Sequence, residues 1–594
     1  MRIDQRLRKR LLLLVLPVGL ALALVTGVGW VGVRGSRASE HLGAAARLFV
    51  QLKQQVEAGD AATAQRTLGE LRRETRAARA ETDGPAWSLA SRAPKVGDDL
   101  AAARTIAVAL DQLAGEGLPP LLAAAGGLES TVLAPKGGTV DLAALRRAAP
   151  EIARSMAVLR SVRERVAAIP TSGLTPRLGT AIPDLIRALD RAQQLAGPAE
   201  RAMRLLPPLL GADGPRTYLL LFQNLAEVRA TGGMPGAFIV VAADHGAIRL
   251  VDQGTAASTL RTFPTPVLPL EEDMVDVHTD RLGTFAADVN LTPDFPTAAA
   301  LTREMYRQRT GRTVDGVLAT DPVALAYLLR ATGPVPLPGA APLTAETAVR
   351  RLLNEVYLTM PSPEQQDVYF AGVAKAVFEA LLGQLGEPRA VVGALARAAG
   401  ERRLLLWSAH PEEQREIAGT ALGGALPADD GARPTVGVFL NDGSGAKLGY
   451  YLSHTATLAV GDCLEEDTRE LRLRVTLGST APRSGLPVAV TGLALSGDPY
   501  TIRTNVLVFS PTGGAIVDAS LDGAEAEVGT GVERDRAVSV ITVDLPPGVT
   551  KTLDVTLLTG PLPHGVGGGA PRLVTTPAVT PWATAVTPGR ACGK

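Results

Sequence analysis

The chain has 594 residues, and at ~100–200 residues per domain we expect about three or four domains rather than a single core. Its 60 Lys and Arg residues balance 60 Asp and Glu residues, so the formal net charge is zero. This balance argues against nucleic acid as a partner, because nucleic-acid-binding proteins present a strongly basic surface.

The N-terminus combines a basic cluster with a long apolar run. Residues 1–10 contain five Lys or Arg side chains, and Leu11 to Val33 is uncharged. That run matches the ~17–25 residues that cross a bilayer and exceeds the ~7–15 residue core of a cleaved signal peptide. We therefore predict a basic cytoplasmic tail at 1–10 and a transmembrane signal anchor at 11–33. The positive-inside rule then places the protein in the cell membrane as a single-pass protein, with the bulk of the chain extracellular.

Residues 36–210 have a helical period and few strand-forming residues. Apolar side chains recur there at steps of three and four, as at Leu145, Ala149, Ile152, Met156 and Leu159. Breaks rich in Pro and Gly divide the region into about four to six helices. We predict an extracellular all-α bundle or stalk, and an exposed seam on it would allow a homo-oligomer to form.

Two apolar runs enclose a polar, Gly-rich segment between Thr217 and Val241. Both runs are typical of buried strands. Polar groups at strand ends are typical of a binding site in an α/β fold, and a β-hairpin with a solvated turn is the simpler alternative. The polar groups are Gln223, Asn224, Glu227 and Arg229, and the glycines are Gly232, Gly233 and Gly236.

Residues 213–400 alternate strands with helices, which indicates an α/β domain built as an α/β/α sandwich. A long loop is expected from Gln253 to Pro293, and loops longer than ~12–15 residues are usually functional or disordered. Asp321 precedes Pro322 at the start of an apolar helical run, so it is expected to cap that helix.

After residue 400 the sequence changes from an alternating strand and helix pattern to one that is typical of an all-β domain. We predict a helix and linker at 401–434 and an all-β sandwich with a C-terminal tail at 435–594, because short Val- and Thr-rich runs alternate with turns. Cys463 and Cys592 are the two cysteines, and an even pair outside the cell indicates one disulfide. The six His residues are scattered, and no paired-Cys motif predicts a zinc site.

Three segments carry a family resemblance: Tyr218 to Val241, Arg281 to Asn290 (RLGTFAADVN) and Asp315 to Val335. They resemble the bacterial family called domain of unknown function 4012, as does Asn441 to Tyr451. More distantly, the order of elements is similar to LytR-CpsA-Psr proteins. Those are signal-anchored α/β/α phosphotransferases that move polyprenyl-pyrophosphate-linked glycans onto the bacterial cell wall.

The resemblance implies a site for phosphate or glycan. In it, Arg229 and Arg281 would hold phosphate oxygens, and Asp288 or Asp321 would hold a metal or orient a sugar hydroxyl. Asn224 and Glu227 lie in the same polar segment. Mg²⁺ or Mn²⁺ is expected only if the chain is a transferase. The simpler alternatives are that Arg229 pairs with a neighbouring carboxylate and that Asp321 only caps its helix.

The sequence differs from those of the transferases at their later arginine cluster. That cluster should fall between Arg350 and Lys375, where Gln365, Gln366 and Asp367 stand instead. Amides hold pyrophosphate less strongly than guanidinium groups do.

The sequence therefore favours a cell-envelope protein that recognises a lipid-linked or cell-wall glycan without catalysis. An active glycopolymer phosphotransferase is the alternative, and a structural spacer or scaffold is the second alternative. A polyprenyl-phosphate lipid or a wall glycan is the expected partner, besides the membrane.

Overall fold

The computed structural model describes most of the chain, and its contacts divide the chain into two compact units. One unit is Met1–Leu133 with Asp141–Pro208, and the other is Ala134–Val140 with Leu209–Lys594. The described residues are 4–94, 96–128, 138–360, 362–383, 387–430, 433–464, 468–562 and 570–589.

The first unit is helical throughout its described part, as predicted. The seam in its sixth helix is buried at Leu145, Ile152, Met156 and Leu159. Asp141 caps that helix by accepting a hydrogen bond from the Ala144 backbone N–H at 3.1 Å. The helices are α1 Asp4–Ala58, α2 Ala61–Glu81, α3 Pro85–Ala90, α4 Gly97–Gln112, α5 Leu118–Leu128, α6 Leu142–Ala167 and α7 Pro176–Leu209.

The predicted transmembrane anchor at 11–33 falls in the first part of α1. Residues 1–3 of the predicted tail lie outside the described residues, and side chains up to residue 29 are not described. Among the described residues, no helix combines the length and the apolar character needed to cross a membrane.

The second unit begins with a five-stranded mixed sheet. The strands are β1 Arg216–Arg229, β2 Gly232–Asp244, β3 Ala247–Thr255, β4 Gly316–Thr320 and β7 Leu404–Ser408, and a separate hairpin is formed by β5 Val335–Leu337 and β6 Ala340–Leu343. The strand order in the sheet is β3-β2-β1-β4-β7, in which β1 and β4 are parallel and the other neighbours are antiparallel. The predicted strand pair at 217–241 is the β1–β2 hairpin.

The position of strand β7 differs from the domain boundary predicted at residue 400. The sequence placed 401–434 outside the α/β domain, yet Leu404–Ser408 pairs with β4 and forms one edge of its sheet. The predicted long loop from Gln253 to Pro293 is also wrong, because it contains ordered turns of helix. These are α8 Glu272–His278, α9 Arg281–Thr284, a π-helical turn at Ala256–Leu260 and a 3-10 turn at Ala286–Leu291.

The two faces of β1 have different surroundings. Leu219 and Leu221 are fully buried in a core with Phe295 and Met305, whereas Leu220 and Phe222 point to the other face and are only partly buried. Helices therefore flank the sheet on both sides. The remaining helices are α10 Phe295–Thr310, α11 Pro322–Thr332, α12 Ala348–Arg350, α13 Val356–Thr359, α14 Pro363–Gly383, α15 Pro388–Gly400 and α16 Pro411–Ala418.

The C-terminal part of the second unit is rich in β-strands, as predicted, and forms two sheets around a Val- and Leu-rich core. The strands are β8 Thr435–Asp442, β9 Leu452–Cys463, β10 Arg469–Ser479, β11 Ile502–Phe509, β12 Ala515–Leu521, β13 Ala524–Glu525, β14 Gly529–Glu533, β15 Arg536–Leu545, β16 Thr550–Leu558, β17 Arg572–Thr575 and β18 Ala583–Thr587, with one short helix, α17 Val488–Thr491. The strand orders in the two sheets are β13-β12-β16-β10-β9-β18 and β14-β15-β11-β8-β17.

The state of one of the two cysteines agrees with the predicted disulfide. Cys463, at the end of β9, is disulfide-bonded. Cys592 lies outside the described residues, so the pairing of these two cysteines stays a prediction.

A buried histidine in β9 makes stability depend on pH. His454 stacks on Trp582 with ring centroids 4.3 Å apart, and burial lowers its pKa from 6.5 to about 4. Because the folded-state pKa is the lower one, the unfolded chain takes up the proton first as the pH falls. Folding stability should therefore fall by about 1.4 kcal/mol per pH unit between pH 6.5 and 4.

We expect wild-type protein to lose about 2 kcal/mol more unfolding free energy between pH 7 and pH 5 than His454→Phe does. Phenylalanine keeps the ring on Trp582 and removes the titrating group. Urea unfolding at the two pH values measures the difference, and parallel pH profiles for the two proteins would contradict the assignment.

Candidate functional site

A cavity of about 660 Å³ lies between one face of the five-stranded sheet and the helices that cover it. The sheet contributes Leu220 and Phe222 to its wall, and α14 contributes Phe370, Val373 and Val377. Protein interiors contain few voids larger than a water molecule, and an engineered apolar cavity of ~150 Å³ already binds benzene. A space more than four times that size, with a mainly apolar wall, is suited to a large apolar ligand.

The cavity gains a polar end where β1 becomes irregular. The register of β1 against β2 shifts between Leu221 and Gln223 and again between Asn224 and Val228. Such bulges re-aim side chains, and here both Gln223 and Asn224 line the cavity. Gly233 permits this geometry, because a Cβ atom there would lie 2.3 Å from the Asn224 carbonyl oxygen.

Tyr357 and Lys447 complete the polar end. The Asn224 side-chain amide donates to the Tyr357 hydroxyl at 2.9 Å, and the Lys447 ammonium lies 5.3 Å from the centre of the Tyr357 ring. Burial, with further contributions from Glu227 and Asp367, raises the pKa of Tyr357, so the phenol keeps its proton at neutral pH. The end of the cavity therefore carries hydrogen-bond donors.

Two π-helical turns also border the cavity. One is Ala256–Leu260, whose Ala256 lines the wall, and the other is Arg351–Glu355, whose Leu352 and Leu353 do so. Single π-turns occur frequently at functional sites, although a third one, Leu113–Gly117, lies in the helical unit.

Arg229 lies outside the cavity wall and is paired with carboxylates. Its guanidinium donates to Glu227 at 2.9 Å and to Asp288 at 3.1 Å, and Asp442 lies 4.0 Å away. Its side chain is 7% exposed. Burial alone would lower the pKa of Arg229, but the three carboxylates outweigh it and hold the pKa above its usual value.

Arg281 shares Asp288 with Arg229. It lies 2.7 Å from the second carboxylate oxygen and stacks at 4.2 Å over Phe285, which lines the cavity. Its side chain is 54% exposed. The surrounding charges balance, with the cations Arg229, Arg281 and Lys447 facing the anions Glu227, Asp288 and Asp442.

Asp321 serves the fold in two ways. One carboxylate oxygen accepts the Val323 and Ala324 backbone N–H groups at 2.8 Å, which caps α11 as predicted. The other oxygen accepts from Arg403 at 2.9 Å, in a pair that is almost fully buried. Its predicted role toward a metal or sugar stays a prediction, and among the described residues no group of His, Cys, Asp and Glu has the arrangement of a metal site.

The structure divides the predicted site residues into two groups. Arg229, Arg281, Glu227 and Asp288 form one ion-pair cluster, whereas Asn224 and Asp321 line the cavity. Tyr357 and Lys447 were missed. Their signal in the sequence is weak, because they lie far along the chain from Asn224 and only the fold brings them together.

Residues 213–357 match the family model "Protein of unknown function (DUF4012)". The DUF4012 segment runs from the strand that carries Arg229 to Tyr357. Helix α14, strand β7 and Lys447 lie beyond it.

The other comparisons give little more. No curated protein matches the chain. One similar solved structure is the transcriptional regulator yvhJ from Bacillus subtilis, at 10% identity over 34% of this chain and 77% of that one, with a TM-score of 0.21. The predicted resemblance to LytR-CpsA-Psr proteins receives no support from these comparisons.

Proposed function

We propose that the unit of residues 209–594 binds a lipid-linked or cell-wall glycan through an apolar chain held in the cavity, and that it does so without catalysis. The observation that carries this proposal is the cavity itself, in which Leu220 and Phe222 of a central strand line a mainly apolar space between the sheet and its covering helices. Each buried methylene group contributes ~0.8 kcal/mol, so a chain of ~10 carbons supplies ~8 kcal/mol before the cost of association.

Recognition is a better account of the charged residues than transfer chemistry. A transferase needs cationic groups free to neutralise developing charge on phosphate. Here Arg229 is buried among carboxylates, and the cluster around it is neutral. In the interval where the transferases have their later arginine cluster, Gln366 donates to the Met360 carbonyl at 2.7 Å and Asp367 accepts from Thr255 at 3.3 Å.

The proposed location of this unit is outside the cell, and the N-terminal sequence supports it. The apolar run from Leu11 to Val33 would anchor the chain in the cell membrane, with the cavity outside the cell. An anchored protein meets membrane lipids at high local concentration, which suits a lipid-linked ligand.

Titration calorimetry of the detergent-solubilised full chain with farnesol, a short isoprenoid alcohol, tests the proposal. We expect one binding site and a negative heat-capacity change, because binding removes apolar surface from water. Absence of binding by farnesol and by longer isoprenoid alcohols would overturn the proposal and favour the structural-spacer alternative. Transfer of a polyprenyl-pyrophosphate-linked glycan to wall acceptor would favour the transferase.

A further inference from the structure

The β-sandwich contributes a residue to the wall of the cavity in the α/β part. Lys447 follows β8 in the connection to β9, and its side chain lines the cavity beside Tyr357. The DUF4012 segment ends at residue 357, so this contribution comes from outside that segment.

The turn that carries Lys447 is held rigidly. Asp442 accepts hydrogen bonds from the backbone N–H groups of Ser444, Gly445 and Ala446 at 3.2, 2.7 and 3.2 Å. The Lys447 backbone N–H donates to the Val490 carbonyl at 2.8 Å. Such preorganisation lowers the entropy lost when the ammonium group binds a ligand.

The same turn is seated directly on β1. A Cβ atom on Gly449 would lie 2.7 Å from the Ala226 carbonyl oxygen, so only glycine allows this approach. Nearby, the Asn441 side chain accepts from the Ala230 backbone N–H at 2.9 Å. The sandwich therefore fixes the position of Lys447 relative to the end of β1.

Three donors at this end of the cavity have unused capacity. The Gln223 side-chain nitrogen is buried and has no hydrogen-bond partner within the described part of the chain. The Tyr357 hydroxyl accepts from Asn224, and among the described residues no group accepts its proton. The Lys447 ammonium has three N–H donors and one carboxylate neighbour, Glu227 at 3.4 Å.

Unsatisfied buried donors are costly, so a ligand that supplies acceptors is favoured at this position. Asp367, a carboxylate that also lines the cavity, already accepts a hydrogen bond from Thr255 at 3.3 Å. We propose that the sandwich completes a head-group site at the polar end of the cavity, an inference that rests on the proposed function. Lys447, Tyr357 and Gln223 together bind a phosphate on the end of the apolar chain.

Calorimetry with farnesol and farnesyl monophosphate separates this inference from the function on which it rests. We expect full-length wild-type protein to bind the monophosphate at least ~10-fold more tightly than the alcohol, equivalent to about 1.4 kcal/mol. Lys447→Gln should reduce that ratio to about one, because only the monophosphate has a charge for the ammonium group to neutralise. Lys375→Gln, which removes an exposed lysine on α14, is the matched control and should keep the ratio.

The outcomes are distinct. Failure of both ligands to bind removes the proposed function. Equal affinities in wild-type protein, or a Lys447→Gln variant that keeps the wild-type ratio or weakens both ligands equally, overturn the head-group site and leave the cavity proposal intact. If thermal melting shows that Lys447→Gln is unfolded, Tyr357→Phe replaces it, with an expected ~3-fold fall in the ratio.

Discussion

Replacing Arg229 with methionine should lower the free energy of unfolding by about 3–5 kcal/mol, because three buried carboxylates lose the buried cation between them. Glu227 keeps only Lys447 and Asp288 keeps only Arg281, and both of these cations are more exposed than Arg229. Glu227 and Asp288 are both within 3.1 Å of the guanidinium, and the side chain is 7% exposed. Burial already raises the pKa of Asp442, and Arg229 is the largest of the influences that offset this effect. Urea unfolding of the full chain at neutral pH measures the loss.

Arg281→Met is the matched control for this prediction. Arg281 binds the same Asp288, but its side chain is 54% exposed and Asp288 retains Arg229, so we expect a loss below ~1 kcal/mol. A stable Arg229→Met protein that has lost ligand affinity would contradict the structural role. It would support the hypothesis, made from sequence alone, that Arg229 holds phosphate.

Replacing Ala374 with tryptophan should abolish isoprenoid binding while leaving the protein at least as stable as wild type. Ala374 lies on the face of α14 that lines the cavity, and it is 5% exposed. The indole would occupy space that the ligand needs, so we expect at least a ~100-fold loss of affinity for farnesol. Filling a void adds packing contacts and commonly raises stability by ~0.5–2 kcal/mol.

The neighbouring residue provides the control. Lys375 lies one position along the same helix with its side chain exposed, so Lys375→Trp introduces the same residue outside the cavity. We expect its farnesol affinity to match that of wild type. Calorimetry and thermal melting of both variants make the comparison. Farnesol affinity that survives in Ala374→Trp, or that falls equally in both variants, would place the ligand elsewhere.

Local patterns in the sequence predict much of the fold. The apolar runs at 218–222 and 238–241 form adjacent strands, and Asp321 caps the helix that begins at Pro322. The seam at Leu145, Ile152 and Met156 is buried as its spacing requires. In each case the signal lies within a few residues, where helix and strand periodicity operate.

Features that depend on distant partners were not predictable in the same way. Strand β7 is a short apolar run whose identity depends on pairing with β4, and the sequence placed it in the helix and linker region at 401–434. Arg229 was singled out correctly as a polar residue near a strand end, but its engagement by Asp288 and Asp442 arises only in three dimensions. The sequence does not reveal the cavity, because apolar residues such as Leu220 and Phe222 are equally typical of a strand that packs against a helix.

The most direct test of the central claim is native mass spectrometry of the full chain extracted gently from its own membrane. The cavity account predicts a bound lipid in wild-type protein and in Lys375→Trp, and the bare polypeptide mass in Ala374→Trp. Fragmentation of the released ligand should show an apolar chain that ends in a phosphate. A bare wild-type chain, or the same lipid bound to Ala374→Trp, would contradict the claim that this cavity holds the ligand.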